Sequence, residues 1–160
     1  MKRMSIVVTV VLAVLMGCSR MSEQELLSKA DAAMKLNKPE EAIVYYQDMV
    51  NLYPKSEKAP EVLFALGSLY KGAKNDIPRA LGVFQKIVDE YPTYEKSPQV
   101  LFLIGFIYNN ELKDIEKARA TYERFLKQYG THELAKHAQY ELDNLGKDPN
   151  TLLPPQNVSK

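Results

Sequence analysis

A 38-residue period constrains this chain more than any other feature. Ala42, Ala80 and Ala118 lie 38 residues apart, and so do Tyr46, Phe84 and Tyr122, and Met49, Ile87 and Phe125. Tyr53, Tyr91 and Tyr129 follow at the same interval, with Pro54 and Pro92 next and Gly130 in the third place. A second set covers the other half of the unit: Pro60 and Pro98, Leu63 and Leu101, Phe64 and Phe102, Gly67 and Gly105, Tyr70 and Tyr108. Self-similarity at one offset of 20 to 50 residues means stacked supersecondary units, each burying the apolar face its neighbour leaves open.

Each unit reads as two helices. Val62, Leu63, Leu66, Leu69 and Tyr70 recur at helical spacing, as do Ile77, Leu81, Phe84, Ile87 and Val88, and strand alternation is absent. Asp76 stands as an N-cap before Pro78 in the first turn, and Asp114 caps a helix expected from Ile115 to Gln128. Pro54 and Pro92 end the second helices, because proline cannot continue one, and Ser97 followed by Pro98 opens a helix. Gly67 and Ala80 lack bulk, so two helices can approach closely there while Tyr70 and Phe84 fill the space beside them.

On these residues the chain resembles the tetratricopeptide repeat family. Unit two supplies Leu63, Leu66, Gly67, Tyr70, Ala80, Phe84 and Pro92; unit three supplies Leu101, Ile104, Gly105, Tyr108, Ala118 and Tyr122; unit one supplies Leu26, Ala30, Ala42, Tyr46 and Pro54. The resemblance implies an all-α, TPR-like solenoid of about three helical hairpins. The period exceeds the family's usual length of about 34, so linkers or helix ends are extended. The usual small residue late in the second helix is large here (Met49, Ile87, Phe125). With the Tyr-Pro ending and the Ser56-to-Pro60 start, this is similar to the repeats of BamD-like outer-membrane assembly lipoproteins and CpoB-type periplasmic proteins.

A last amphipathic helix is expected from about His132 to Leu145, with Leu134, Ala138, Leu142 and Leu145 on one stripe and Gly146 as its stop. It would cap the open end of the stack. Residues 147–160 hold Pro149, Pro154 and Pro155 without periodicity and read as a disordered tail.

At the N-terminus, Lys2 and Arg3 precede an apolar stretch from Ile6 to Met16, the layout of a secretory signal and too short to span a bilayer. It closes in Leu15-Met16-Gly17-Cys18, which resembles the lipobox of bacterial lipoproteins. The resemblance implies a signal peptide at 1–17, lipidation of Cys18, a lipidated tether at 18–22, and then the repeat domain at 23–146. Ser19 rather than Asp after the cysteine implies export to the outer membrane, facing the periplasm. A cysteine carrying several acyl chains holds a protein to a membrane where one chain would not.

Composition excludes several function classes. Cys18 is the chain's only cysteine, so no internal disulfide and no thiolate-rich zinc site can form. Formal net charge is +1, which gives no basis for nucleic-acid binding. No nucleophile elbow, phosphate loop or His-Glu-x-x-His motif is present, and His132 and His137, five apart, suit solvated positions rather than a shared metal. Glu40 and Glu41 suit the positive end of a helix dipole. The expectation is a non-enzymatic protein without cofactor or metal.

The family resemblance implies that each first helix lines a binding groove. Its positions here are Gln24, Leu27, Asp31 and Met34 in unit one, Glu61, Phe64, Ser68 and Lys71 in unit two, and Gln99, Phe102, Phe106 and Asn109 in unit three. Phe102 and Phe106, one turn apart, share a face, and Phe64 is expected to stack beside Phe102. An aromatic patch flanked by Lys71 and Asn109 would bind a partner peptide or helix, unless repeat packing or the capping helix covers it. The family's carboxylate clamp is not matched, since Leu27, Asp31 and Phe106 occupy its positions.

The combined expectation is a lipid-anchored scaffold that binds envelope proteins or peptides in outer-membrane assembly or maintenance. Alternatives are an accessory lipoprotein of a pilus or secretion channel, and a cell-wall-associated binding protein or enzyme accessory. Three repeats are few for a stable stack, so self-association through an exposed end is a further expectation.

Overall fold

The computed structural model describes residues 20–147. Seven helices lie among them: α1 (Glu23–Lys35), α2 (Pro39–Leu52), α3 (Ala59–Gly72), α4 (Ile77–Glu90), α5 (Ser97–Asn110), α6 (Ile115–Tyr129) and α7 (Ala135–Asn144). The described residues contain no strand. The helices pair in chain order as α1·α2, α3·α4 and α5·α6, each second helix also packs on the next first helix, and α7 covers α6. This is a stack of three helical hairpins closed by a terminal helix. The expected signal peptide at 1–17, Cys18 and Ser19, and residues 148–160 of the expected tail lie outside the described residues.

Two connections account for the long period. Residues 73–76 join α3 to α4, and residues 91–96 join α4 to α5. In the shorter connection the chain enters the left-handed region just before each second helix, at Asn37 (φ 55°), Asn75 (φ 50°) and Lys113 (φ 55°), again 38 residues apart. The next residue closes the turn: Asp76 N–H donates to Tyr70 O at 2.8 Å, and Asp114 N–H to Tyr108 O at 2.8 Å. Both aspartates then cap their helices, accepting from Arg79 N and Lys117 N.

The longer connection is two successive turns. Tyr94 N–H donates to Tyr91 O at 3.0 Å and Ser97 N–H to Tyr94 O at 2.9 Å; Ser56 and Ala59, and His132 and Ala135, repeat the pattern. Before α7 this double turn occupies residues that the apolar stripe assigned to a helix from His132, so α7 starts three residues later, at Ala135. His132 is therefore not a solvated helix residue. It is half-buried, packs edge-on against Phe125 at 6.1 Å, and its Nδ1 accepts from Leu134 N–H at 3.1 Å. His137 is exposed. Gly146, at φ 75°, lies just past the end of α7.

The core runs through all three hairpins. Ala42, Ala80 and Ala118 are fully buried, as are Met49, Ile87 and Phe125, whose bulk fills the space where the family is usually small. A large buried apolar side chain contributes about 1.5–3 kcal/mol, so this one stripe is a substantial part of the core. Tyrosines tie the connections together: Tyr53 Oη donates to Met21 O at 2.8 Å and Tyr91 Oη to Pro54 O at 2.6 Å. Ser22 opens α1 with a reciprocal cap, its hydroxyl accepting from Glu25 N–H while its own N–H donates to the Glu25 carboxylate at 2.8 Å.

Candidate functional site

The first helices α1, α3 and α5 place the expected groove residues on one face, but not as a single aromatic patch. Phe64 is half-buried and packs on Phe84 of its own hairpin at 6.1 Å between ring centroids, and Lys96 Nζ lies 5.5 Å over its ring. Phe102 is half-buried between Tyr122 (5.6 Å) and Phe125 (6.1 Å). Among the aromatic pairs of the described residues, Phe64 does not stack on Phe102. Each ring turns inward, because the bare backbones of Gly67 and Gly105 draw Phe84 and Tyr122 close and leave a neighbouring ring to close over them. Phe106, one turn beyond Phe102, is 40% exposed.

The polar flanks are engaged between repeats. Lys71 Nζ pairs with Glu111 at 2.8 Å, linking hairpins two and three. Asn109 Nδ2 donates to Glu141 Oε2 at 3.4 Å, linking hairpin three to α7. Ser68 Oγ donates to Phe64 O at 2.8 Å, a back-bond within its own helix. Lys71 and Asn109 thus brace the stack, a role their helical spacing could not reveal because the partners lie 40 and 32 residues away.

Towards the first hairpin the same face opens into a depression of about 290 Å³ lined by Leu27, Asp31, Tyr46, Lys58, Glu61 and Ala65. A second, of about 360 Å³, continues along α1 past Gln24, Ser28 and Lys35. Gln24, Leu27, Asp31 and Glu61 are the positions the sequence assigned to the groove. Tyr46 and Lys58 were missed. Tyr46 sits at a packing position of the repeat, yet its hydroxyl crosses the hairpin to donate to Asp31 Oδ1 at 3.5 Å. Burial, then the Asp31 charge, pushes the Tyr46 phenol above its ordinary value. Its counterpart Tyr122 is fully buried with no hydrogen-bond partner for the hydroxyl, and burial pushes that phenol up further.

Among the described residues no three His, Cys, Asp or Glu side chains gather where they could hold a metal ion, and no helix is long and apolar enough to cross a membrane. What the face offers is shape, exposed apolar surface and mixed charge, the means of recognising a polypeptide.

No curated protein is significantly similar to this chain. A family model does match, in three consecutive copies at residues 26–56, 61–94 and 99–132, which together span more than half of the chain. These segments coincide with the three hairpins, each running into the double turn that follows. The protein belongs to the tetratricopeptide repeat family.

Proposed function

We propose that this protein is a lipid-anchored scaffold of the bacterial outer membrane, facing the periplasm, that holds partner proteins in assembly or maintenance of the outer envelope. Tetratricopeptide repeats serve as protein-interaction scaffolds, and the stack is built as one. The anchor rests on Leu15-Met16-Gly17-Cys18 and the basic, apolar lead before it. The observation that carries the binding face is Phe106, a large apolar side chain left 40% exposed on α5, the first helix of the hairpin that follows the depression of α1 and α3. Phe64, Ser68, Phe102, Lys71 and Asn109 frame that face, Lys71 by joining hairpins two and three and Asn109 by joining hairpin three to α7.

Arg20 adds local support for a short tether. Its guanidinium donates to Leu52 O at 2.5 Å and lies 5.2 Å over the Tyr53 ring, so the chain is docked on the repeat stack two residues after Cys18. A cation at this helix C-terminus complements the dipole.

Labelling with an alkyne fatty acid, followed by membrane fractionation, tests the anchor: the wild-type chain takes label and floats with outer membrane, and Cys18→Ser does neither. Crosslinking in intact envelopes, read by mass spectrometry, tests the partners. Barrel-assembly subunits would support the reading. Secretin or pilus subunits would replace it with the secretion role, wall fragments alone would replace it with the wall-binding role, and chain-to-chain crosslinks alone would mean self-association. Phe106→Ala should remove the partner crosslinks without lowering the melting temperature.

A further inference from the structure

The opposite face, built by the second helices α2, α4 and α6, carries a depression that recurs with the repeat. The first, of about 350 Å³, lies between α2 and α4 over α3; the second, of about 220 Å³, lies between α4 and α6 over α5. Both contain a leucine, Leu63 or Leu101, and a tyrosine, Tyr70 or Tyr108, from the first helix behind. Both are flanked by two cations: Arg79 and Lys86 in one, Lys117 and Arg124 in the other. All four kinds of position differ by 38. Neither depression has a carboxylate in its lining.

The cations are held at the depression by specific contacts. Arg79 lies 5.5 Å over the Tyr70 ring, and Lys117 lies 5.5 Å over the Tyr108 ring. Each cation also meets a carboxylate: Asp76 with Arg79, Glu90 with Lys86, Asp114 with Lys117 and Asp89 with Arg124. None of those carboxylates enters the lining, and pairs this exposed are weak enough for an incoming anion to displace.

Between the two cations of α4 stands Gly82. A Cβ there would meet nothing within 4 Å, so the fold itself does not require glycine, although glycine disfavours a helix interior. Ala120 holds the equivalent place on α6. Arg79 and Lys86 are seven residues apart, about 10 Å along a helix. In an extended strand, side chains i, i+2 and i+4 point the same way and span about 13 Å; two long, flexible cationic side chains cover the difference.

We propose that the second-helix face binds extended acidic segments of a partner protein, in which a large apolar residue is flanked two positions away on each side by a carboxylate. The apolar side chain sits over Gly82 or Ala120, against the leucine and tyrosine behind, and the carboxylates meet the paired cations. The repeat offers this site twice, so a partner carrying two such segments gains by effective concentration. The site is separate from the first-helix face, and its test does not depend on that reading.

The probe is a fluorescent Glu-Ser-Leu-Ser-Glu peptide titrated by anisotropy into the full chain in detergent, beside Lys-Ser-Leu-Ser-Lys and Glu-Ser-Ser-Ser-Glu peptides. Saturable binding of the first peptide, at least tenfold tighter than either control and weakened by salt, is expected. Gly82→Leu with Ala120→Leu fills both depressions, and a Cβ at residue 82 meets nothing within 4 Å; the variant should keep the helical signal and melting temperature and lose the peptide at least tenfold. Phe106→Ala should bind it unchanged. Absence of saturable binding, equal binding of the lysine peptide, or equal binding by the filled chain would overturn the proposal. Loss of the peptide in Phe106→Ala alone would move the acidic segment to the other face and overturn it too.

Discussion

The Phe84 ring stands where a side chain on Gly67 would have to go: a Cβ there would lie 2.5 Å from Phe84 Cε1. One repeat later the same relation holds between Gly105 and Tyr122, at 2.8 Å. Helix-to-helix distance in the second and third hairpins is therefore set by a missing side chain on the first helix and an aromatic on the second. Gly67→Ala should destabilise the protein by about 1–3 kcal/mol through overpacking, read from urea unfolding. Gly82→Ala, where nothing is met, should instead stabilise it by about 0.5–1 kcal/mol through helix propensity.

Tyr122 should be replaceable at a gain. Its ring is needed, but its hydroxyl is buried without a partner, and Phe84 performs the same packing in the preceding hairpin. Tyr122→Phe should stabilise by about 1 kcal/mol, the low end of the cost of an unsatisfied buried polar group. Tyr46→Phe is the contrast: it removes the donor to Asp31 and should be neutral to mildly destabilising. Thermal melts of the two variants should shift apart.

Lys113 occupies a left-handed backbone position that Asn37 and Asn75 fill in the other hairpins. Lysine enters that region at greater cost than asparagine, whose short polar side chain bonds locally. Lys113→Asn should raise stability by about 0.5–1 kcal/mol, seen as a melting temperature higher by about 1–4 °C for a chain of this size.

Two capping carboxylates, beside Glu40 held low by the Lys74 side chain, make stability fall in acid. The Ser22 backbone N–H and hydroxyl hold Glu25 below its ordinary value of 4.5, and the Lys117 side chain, then its backbone N–H, holds Asp114 below 3.8. Unfolding returns both to their ordinary values. Their contribution is thus fully present above the ordinary carboxylate range and is lost as pH falls through the lower native values. Glu25→Gln with Asp114→Asn keeps both caps in amide form. Urea midpoints between about pH 3 and pH 7 should decline less steeply in this variant than in the wild type.

The fold was legible because packing repeats with the sequence. Gly67, Ala80, Phe84 and Ile87 recur one unit later as Gly105, Ala118, Tyr122 and Phe125, and all of these positions are buried. Asp76 and Asp114 announced their helices through cap chemistry that acts within four residues. The start of α7 was less readable, since the double turn around His132 leaves Leu134 on the same apolar stripe that a helix would.

The candidate site was legible only in part. Spacing placed Phe64, Phe102 and Phe106 on one face, but burial separates the first two from the third. That separation is set by rings on α4 and α6, which no periodicity along α3 or α5 encodes. Lys71 and Asn109 looked like free flanks until Glu111 and Glu141 came alongside. Contacts of this kind depend on how neighbouring hairpins stack, and local pattern carries no record of them.

A double-mutant cycle between Gly67 and Phe84 tests the stacking most directly. With Phe84→Leu in place the planar ring is gone and the space over residue 67 opens. Urea unfolding should then show Gly67→Ala costing at least about 1 kcal/mol less than it does beside the native ring, within the usual range for contacting residues. An equal cost in both backgrounds would mean that residue 67 and the ring do not meet, and the close approach of the paired helices would be contradicted.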